Sequence, residues 1–151
     1  MYRNGSSASG RAEKRGTKWI LVSHEPVEAD AVWNAVKKEE DAVEGGSIEF
    51  KFEPFILHLQ CRTIELAKKV HTLSLESGFR NTGLTVGKAG KLVLAVRSTH
   101  GLELPFSDDC GRVLVSEKYV ELVVAAANAK FAENEKRHKR LEEKFIQEFR
   151  L

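Results

Sequence analysis

The chain has little of what holds very small proteins together: 2 cysteines, 3 prolines and 1 methionine in 151 residues. Cys61 and Cys110 are too few for a disulfide framework and form no CxxC pair, so the thiols suggest neither a stapled scaffold nor a zinc site. No histidine falls in an HExxH or paired-ligand spacing, which argues against a metal. Charge of one sign is also lacking, because Lys+Arg 24 against Asp+Glu 22 leaves a formal charge of +2. Composition alone therefore gives no case for nucleic acid. The longest apolar run, Leu122 to Ala127, is far short of the roughly 18 residues a membrane span needs. No apolar block follows the first charges, so no secretory signal is expected. There is neither a GxxxxGK[ST] segment nor a GxGxxG after a strand, and Gly83, Gly87 and Gly90 have the wrong spacing for either. These absences predict a soluble cytoplasmic protein, with no membrane partner and no Rossmann-type nucleotide site.

What is present is ordinary globular material, 42% hydrophobic and 30% charged. Residues 1–18 are rich in Gly, Ser, Arg and Lys with little to bury, and predict a flexible tail. Residues 19–151 predict a single domain. Trp19–Val22 reads as a short buried strand, and Val27–Lys38 as a helix with Pro26 in its first turn. From Ser47 to Glu53 apolar and charged residues alternate, the mark of a half-buried strand. Phe55–Cys61 reads as a more buried strand, in which His58 would be a satisfied structural histidine. Thr63 caps a helix that runs to about Ser77 and ends at Gly78.

Thr82–Val86 and Leu92–Val96 flank Gly87-Lys88-Ala89-Gly90, a hairpin pattern. Leu102–Phe106 and Arg112–Val115 are further strand candidates. From Ser116 apolar residues recur every three or four positions almost to the end. Such a helix would span roughly 50 Å, with its first half on the sheet and its charged second half protruding, bending or meeting a partner. The expected fold class is α+β: a mixed or mainly antiparallel sheet with packed helices and a long C-terminal helix, unlike a doubly wound Rossmann sheet.

Chemistry concentrates between Ser77 and Leu102. That stretch carries Arg80, Lys88, Lys91 and Arg97 and not one acid. A basic stretch around a glycine-flanked hairpin suggests an anion-binding face, although lysines on an edge strand also serve to block aggregation. Arg97-Ser98-Thr99-His100-Gly101 follows an apolar strand directly, and strand ends are where a rigid scaffold presents binding groups. His100 can act as a base, a donor to phosphate or a turn residue. His24 sits beside Glu25 at another strand end. His71 and His138 lie in helices and carry less weight.

Three long segments also resemble a known family. They are Phe52-Glu53-Pro54-Phe55-Ile56-Leu57-His58-Leu59-Gln60-Cys61-Arg62, then Ser77-Gly78-Phe79-Arg80-Asn81-Thr82-Gly83, then Arg97-Ser98-Thr99-His100-Gly101-Leu102-Glu103-Leu104-Pro105. In that order they are similar to the signatures of the tRNA wybutosine-synthesizing protein 3 family, and Trp19 to His24 resembles its Trp-x-x-x-x-His strand. The resemblance implies methyl transfer from S-adenosylmethionine to a ring nitrogen of the tricyclic wyosine-type base beside the anticodon of phenylalanine tRNA. It makes His100 the first candidate base and His24 the second. It makes Arg97, Ser98, Thr99 and Glu103 candidates for the donor, and Arg62, Arg80, Asn81, Lys88 and Lys91 candidates for RNA.

Two departures accompany the resemblance. The family's Ser-Ser-Cys-Ser-Gly-Arg segment is matched by Ser6-Ser7-Ala8-Ser9-Gly10-Arg11, a remnant in which Ser6, Ser7, Ser9 and Arg11 persist while Ala8 stands in the cysteine's place. The helical region that precedes this segment in the family is missing, so a form shortened at its amino terminus is expected. A non-catalytic tRNA-binding module is the alternative reading. The charged terminal helix is a further candidate surface for protein contact or self-association.

Overall fold

A computed structural model describes residues 1–4, 17–40 and 46–150. They form an α+β fold of antiparallel sheets and helices, grouped into two compact units. The first unit comprises Met1–Phe52 and Leu102–Ala129, the second Glu53–Gly101 and Lys130–Leu151. One helix contributes to both.

In the first unit, strands β1 (Tyr2–Asn4), β2 (Thr17–Trp19), β3 (Ile48–Phe52) and β7 (Leu102–Pro105) form an antiparallel sheet in the order β2-β1-β3-β7. Helix α1 spans Ala29–Glu40. The alternation of β3 turns Ile48 and Phe50 inward, where they join Val32 and Val36 of α1, Phe106, and Val120, Val123, Val124 and Ala127 of the long helix α3 (Glu117–Phe149). Phe50 and Phe106 stack with centroids 5.4 Å apart. Burying each such valine or phenylalanine stabilises the unit by about 1.5–3 kcal/mol before entropy is counted. Asn128 clamps the approach to α1, accepting from the Val27 N–H at 3.1 Å and donating to the Val27 carbonyl at 2.9 Å.

The second unit has strands β4 (Ile56–Cys61), β5 (Gly83–Val86) and β6 (Leu92–Arg97) in the antiparallel order β4-β6-β5. Helix α2 (Ile64–Glu76) begins where Thr63 Oγ1 accepts from the Leu66 N–H at 3.2 Å. It ends as the sequence predicts: Gly78 adopts φ +99°, a left-handed conformation that favours glycine, and Phe79 N–H donates back to Ser74 O at 3.0 Å. Ala67 and Val70 of α2 pack with Cys61, Phe79, Leu94 and Val96. The β5–β6 hairpin closes through Gly87 N–H to Lys91 O at 2.7 Å, with Ala89 and Gly90 at positive φ in its turn.

Several expectations need correction. The tail expected over residues 1–18 contains strand residues Tyr2–Asn4 and Thr17–Lys18, while the motif remnant with Ser6, Ser7, Ser9 and Arg11 lies outside the described residues. Trp19–Val22 is not a buried strand. The strand stops at Trp19, which is 63% exposed, and only Ile20 and Leu21 lean on the core. His58 is exposed, not enclosed, because β4 alternates: Ile56, His58 and Gln60 face one way, and Leu57, Leu59 and Cys61 the other. Arg112–Val115 is no strand: it follows a turn at Asp109–Cys110, where Asp108 Oδ1 accepts from the Cys110 and Arg112 N–H groups, and it makes only the isolated Ser107–Val113 bridge among the described residues.

The second half of α3 does not protrude. Leu141 is 2% exposed in the second core, with Phe145 and Phe149 packed against it. Lys144 pairs with Glu76 at 2.7 Å and Lys69 with Glu148, so α2 and this stretch of α3 are tied at their rims.

Candidate functional site

Strand β6 carries its apolar residues to Val96 and then presents Arg97 at its end, opposite Ile56 of β4. Ser98 N–H donates to Phe55 O at 3.2 Å, which extends the pairing one residue past the strand and fixes where Ser98, Thr99 and His100 emerge. These residues line a cleft of about 430 Å³ within the second unit, together with Gly78, Arg80, Glu133, Arg137 and Arg140. The sequence segments after α2 and after β6 therefore converge on one site.

Helix α3 supplies the remaining wall. Residues 133, 137 and 140 recur at helical spacing on one face. Arg137 Nε donates to Glu133 Oε1 at 2.9 Å, and its Nη1 lies 3.5 Å from Gly78 O. A Cβ built on Gly78 would touch the Arg137 side chain at 3.5 Å, so this glycine supplies the left-handed turn while the guanidinium stem lies over it. The hydrogen bond from Arg137 holds the Glu133 carboxyl below its usual pKa, helped by the charges of Arg137, Lys136 and Arg140. Arg80, Arg97 and Arg140 have no ion pair among the described residues. Four guanidinium groups against one carboxylate make the cleft strongly electropositive, and forked guanidinium donors suit phosphate or carboxylate oxygens.

The residues singled out by sequence divide accordingly. Arg80, Arg97, Ser98, Thr99 and His100 share the cleft. Glu103 lies on β7 of the first unit, paired with Lys51 at 3.3 Å, and His24 lies in an exposed loop of that unit between β2 and α1. Lys88 and Lys91 sit at the exposed hairpin turn, while Arg62 and Asn81 are exposed in loops. None of these last four lines the cleft. Among the described residues no cluster of His, Cys, Asp and Glu could hold a metal ion, and no helix is long and apolar enough to cross a membrane.

Sequence reasoning missed Arg137, Arg140 and Glu133. Their signal was the helical spacing of cations on α3, indistinguishable in a charged helix from a solvated face.

Fold and cleft together define a class: an α+β protein, not of Rossmann type, with an arginine-lined cleft at a strand end. Comparison with known proteins gives the family. The family model described as Methyltransferase TYW3 matches residues 2–147, and the chain belongs to this family. It is 45% identical over 139 residues to the tRNA wybutosine-synthesizing protein 3 homolog of Mus musculus, an alignment covering 91% of this chain and 51% of that protein. It is 32% identical over 149 residues to tRNA(Phe) 7-((3-amino-3-carboxypropyl)-4-demethylwyosine(37)-N(4))-methyltransferase 2 of Pyrococcus furiosus, covering 93% and 69%. The solved structure of the PH1069 protein from Pyrococcus horikoshii superposes with a TM-score of 0.79 at 26% identity, covering 95% of this chain and 70% of that one. The chain spans about half the length of the vertebrate relatives it matches.

Proposed function

We propose that the chain acts as a tRNA methyltransferase of wybutosine biosynthesis, with the wyosine-type base of phenylalanine tRNA as substrate and S-adenosylmethionine as methyl donor. The observation that carries this reading is the convergence of two family segments on the arginine-lined cleft, with His100 at its edge. Arg80, Arg97, Arg137 and Arg140 bind a phosphate of the anticodon strand, which positions the tRNA without reading its sequence. Arg97 also suits the donor's carboxylate, and Ser98 and Thr99 its polar groups. The donor's sulfonium does not suit a cleft with four arginines and one acid, so the phosphate is the better occupant of its centre.

S-adenosylmethionine supplies the methyl group as an electrophile. The ring nitrogen that accepts it must lose its proton, and in this reading His100, which lines the cleft, is the base that takes it. A methyl-transfer assay on tRNA carrying the unmethylated precursor tests this. His100→Ala should lower turnover by about 10²–10⁴ while tRNA affinity and melting temperature hold. Normal turnover with early melting would make His100 a turn residue.

Ala8, where the family has cysteine, favours a second reading: a tRNA-binding module without catalysis. In that case the same assay gives no methylation while tRNA still binds. Restoring cysteine at position 8 distinguishes the two, because a working thiol would raise activity.

A further inference from the structure

A second depression opens in the same unit, one helical face round from the arginine cleft. It has a volume of about 300 Å³ and is lined by Phe55, Leu57, His138, Leu141, Glu142, Phe145 and Ile146. The two depressions divide one stretch of α3 between them. Residues 133, 137 and 140 face the cleft, and residues 138, 141, 142, 145 and 146 face the groove. They also meet at the sheet, where Phe55 of the groove is hydrogen-bonded through its carbonyl to Ser98 of the cleft.

The groove has an aromatic floor. The His138 ring stacks on Phe55 with centroids 4.8 Å apart at 27°, and Phe55 in turn leans on the fully buried Phe79 at 5.2 Å. Phe55 is also fixed from its backbone, because Asn134 Oδ1 accepts its N–H at 2.9 Å. The exposed His138 is thus held flat by a rigid support. Ile146, 46% exposed, forms an open apolar side of the groove.

We infer that this groove receives a nucleobase of the same RNA strand whose phosphate occupies the arginine cleft. Charge complementarity selects this occupant: an apolar groove with a held ring beside an electropositive cleft matches the alternation of base and phosphate along a single strand. The base stacks on the His138 ring, and Glu142 at the rim accepts from an exocyclic amino group. The inference rests on the phosphate assignment proposed above, yet the two are separable by experiment.

Two fluorescein-labelled probes suffice: a hexamer of adenosine ribonucleotides, and a hexamer of the same sugar–phosphate backbone without bases. His138→Ala and, independently, Ile146→Ser should each weaken the adenosine hexamer, His138→Ala by about tenfold, and leave the abasic hexamer unchanged. Neither should alter the slope of log affinity against log salt. Arg140→Ala should flatten that slope by about one unit for both probes.

Equal affinity of both groove variants and the unaltered protein for the adenosine hexamer, with the Arg140→Ala slope still flattened, would overturn the groove and leave the phosphate reading standing. A tenfold groove effect with an unchanged Arg140→Ala slope would do the reverse. Equal weakening of both probes by His138→Ala would also overturn base stacking. So would self-association in sedimentation that the groove variants abolish, because the groove would then belong to a second copy.

Discussion

The two units are built by similar means and differ in what they do with charge. Each sets an antiparallel sheet and a shorter helix against a stretch of α3. Each uses an asparagine of α3 to clamp the residue after a proline: Asn128 holds Val27 after Pro26, and Asn134 holds Phe55 after Pro54. In the first unit the cations find acids, as in Lys18 with Glu39 at 3.0 Å and Lys51 with Glu103 at 3.3 Å. In the second, two pairs tie the rim between α2 and α3, and in the cleft only Arg137 pairs, with Glu133, so the strand end is left with an excess of guanidinium. Uncompensated charge at the end of a rigid strand is suited to attract an anion.

The largest test of this comparison is a pair of core truncations. Leu141→Ala should cost about 2–5 kcal/mol in urea unfolding, and Val124→Ala about 1–2 kcal/mol, because it removes fewer buried groups. Hydrogen exchange should then localise the damage, with α2 amides faster in Leu141→Ala and α1 amides faster in Val124→Ala. If both variants loosen both helices equally, the units are one cooperative body and the comparison breaks.

The clamps give a smaller, sharper contrast. Asn128→Ala leaves both the N–H and the carbonyl of Val27 without their partner, whereas Asn134→Ala leaves only the Phe55 N–H. Both losses fall in the range of about 1–3 kcal/mol for an unmade buried bond, with Asn128 the costlier in melting experiments. A larger loss at Asn134 would mean that the Phe55 stack depends on it.

The smallest effect belongs to Glu133. Its folded pKa is depressed, chiefly by the bond from Arg137, so its contribution to stability is present above the ordinary carboxylate value. That contribution is lost as pH falls through the lowered value. Glu133→Gln should therefore lower stability slightly at neutral pH, leave it unchanged below the depressed value, and so flatten the acid limb of the stability profile. An identical acid limb in both forms would show that Arg137 is held by Gly78 and packing alone.

Much of the second unit was legible in the sequence because its signals are local. Thr63 and Gly78 bracket α2, and the glycines at 87 and 90 mark the hairpin. The strand end from Arg97 to His100 follows an uninterrupted apolar run. What escaped is non-local. The apolar residues of the second half of α3, Leu141, Phe145 and Phe149, are sparse among charges, and the surfaces they cover come from residues 55–96. No periodicity reveals a partner that distant. His58 is a different failure, since the alternation of β4 was readable and the apolar neighbours drew attention from it. Trp19 was read by residue type, but neither type nor spacing says where a short strand ends.

One feature of the chain path bears on how the molecule assembles. Strands β3 and β7 pair from Phe52 with Leu102 onward, although all of β4, α2, β5 and β6 lies between them in sequence. Closing so long a loop from an open chain carries a substantial entropic cost, one that grows with the logarithm of the loop's length. The β4–β6 ladder shortens the task, because it sets Ile56 against Arg97 and so brings the two ends of the intervening segment together. Only the few residues between Phe52 and Ile56, and between Arg97 and Leu102, then remain to be ordered. The strand pairing that sets Arg97 at the cleft also reduces a long-range closure to a nearly local one, which lowers the effective contact order of β3 and β7 and favours faster folding.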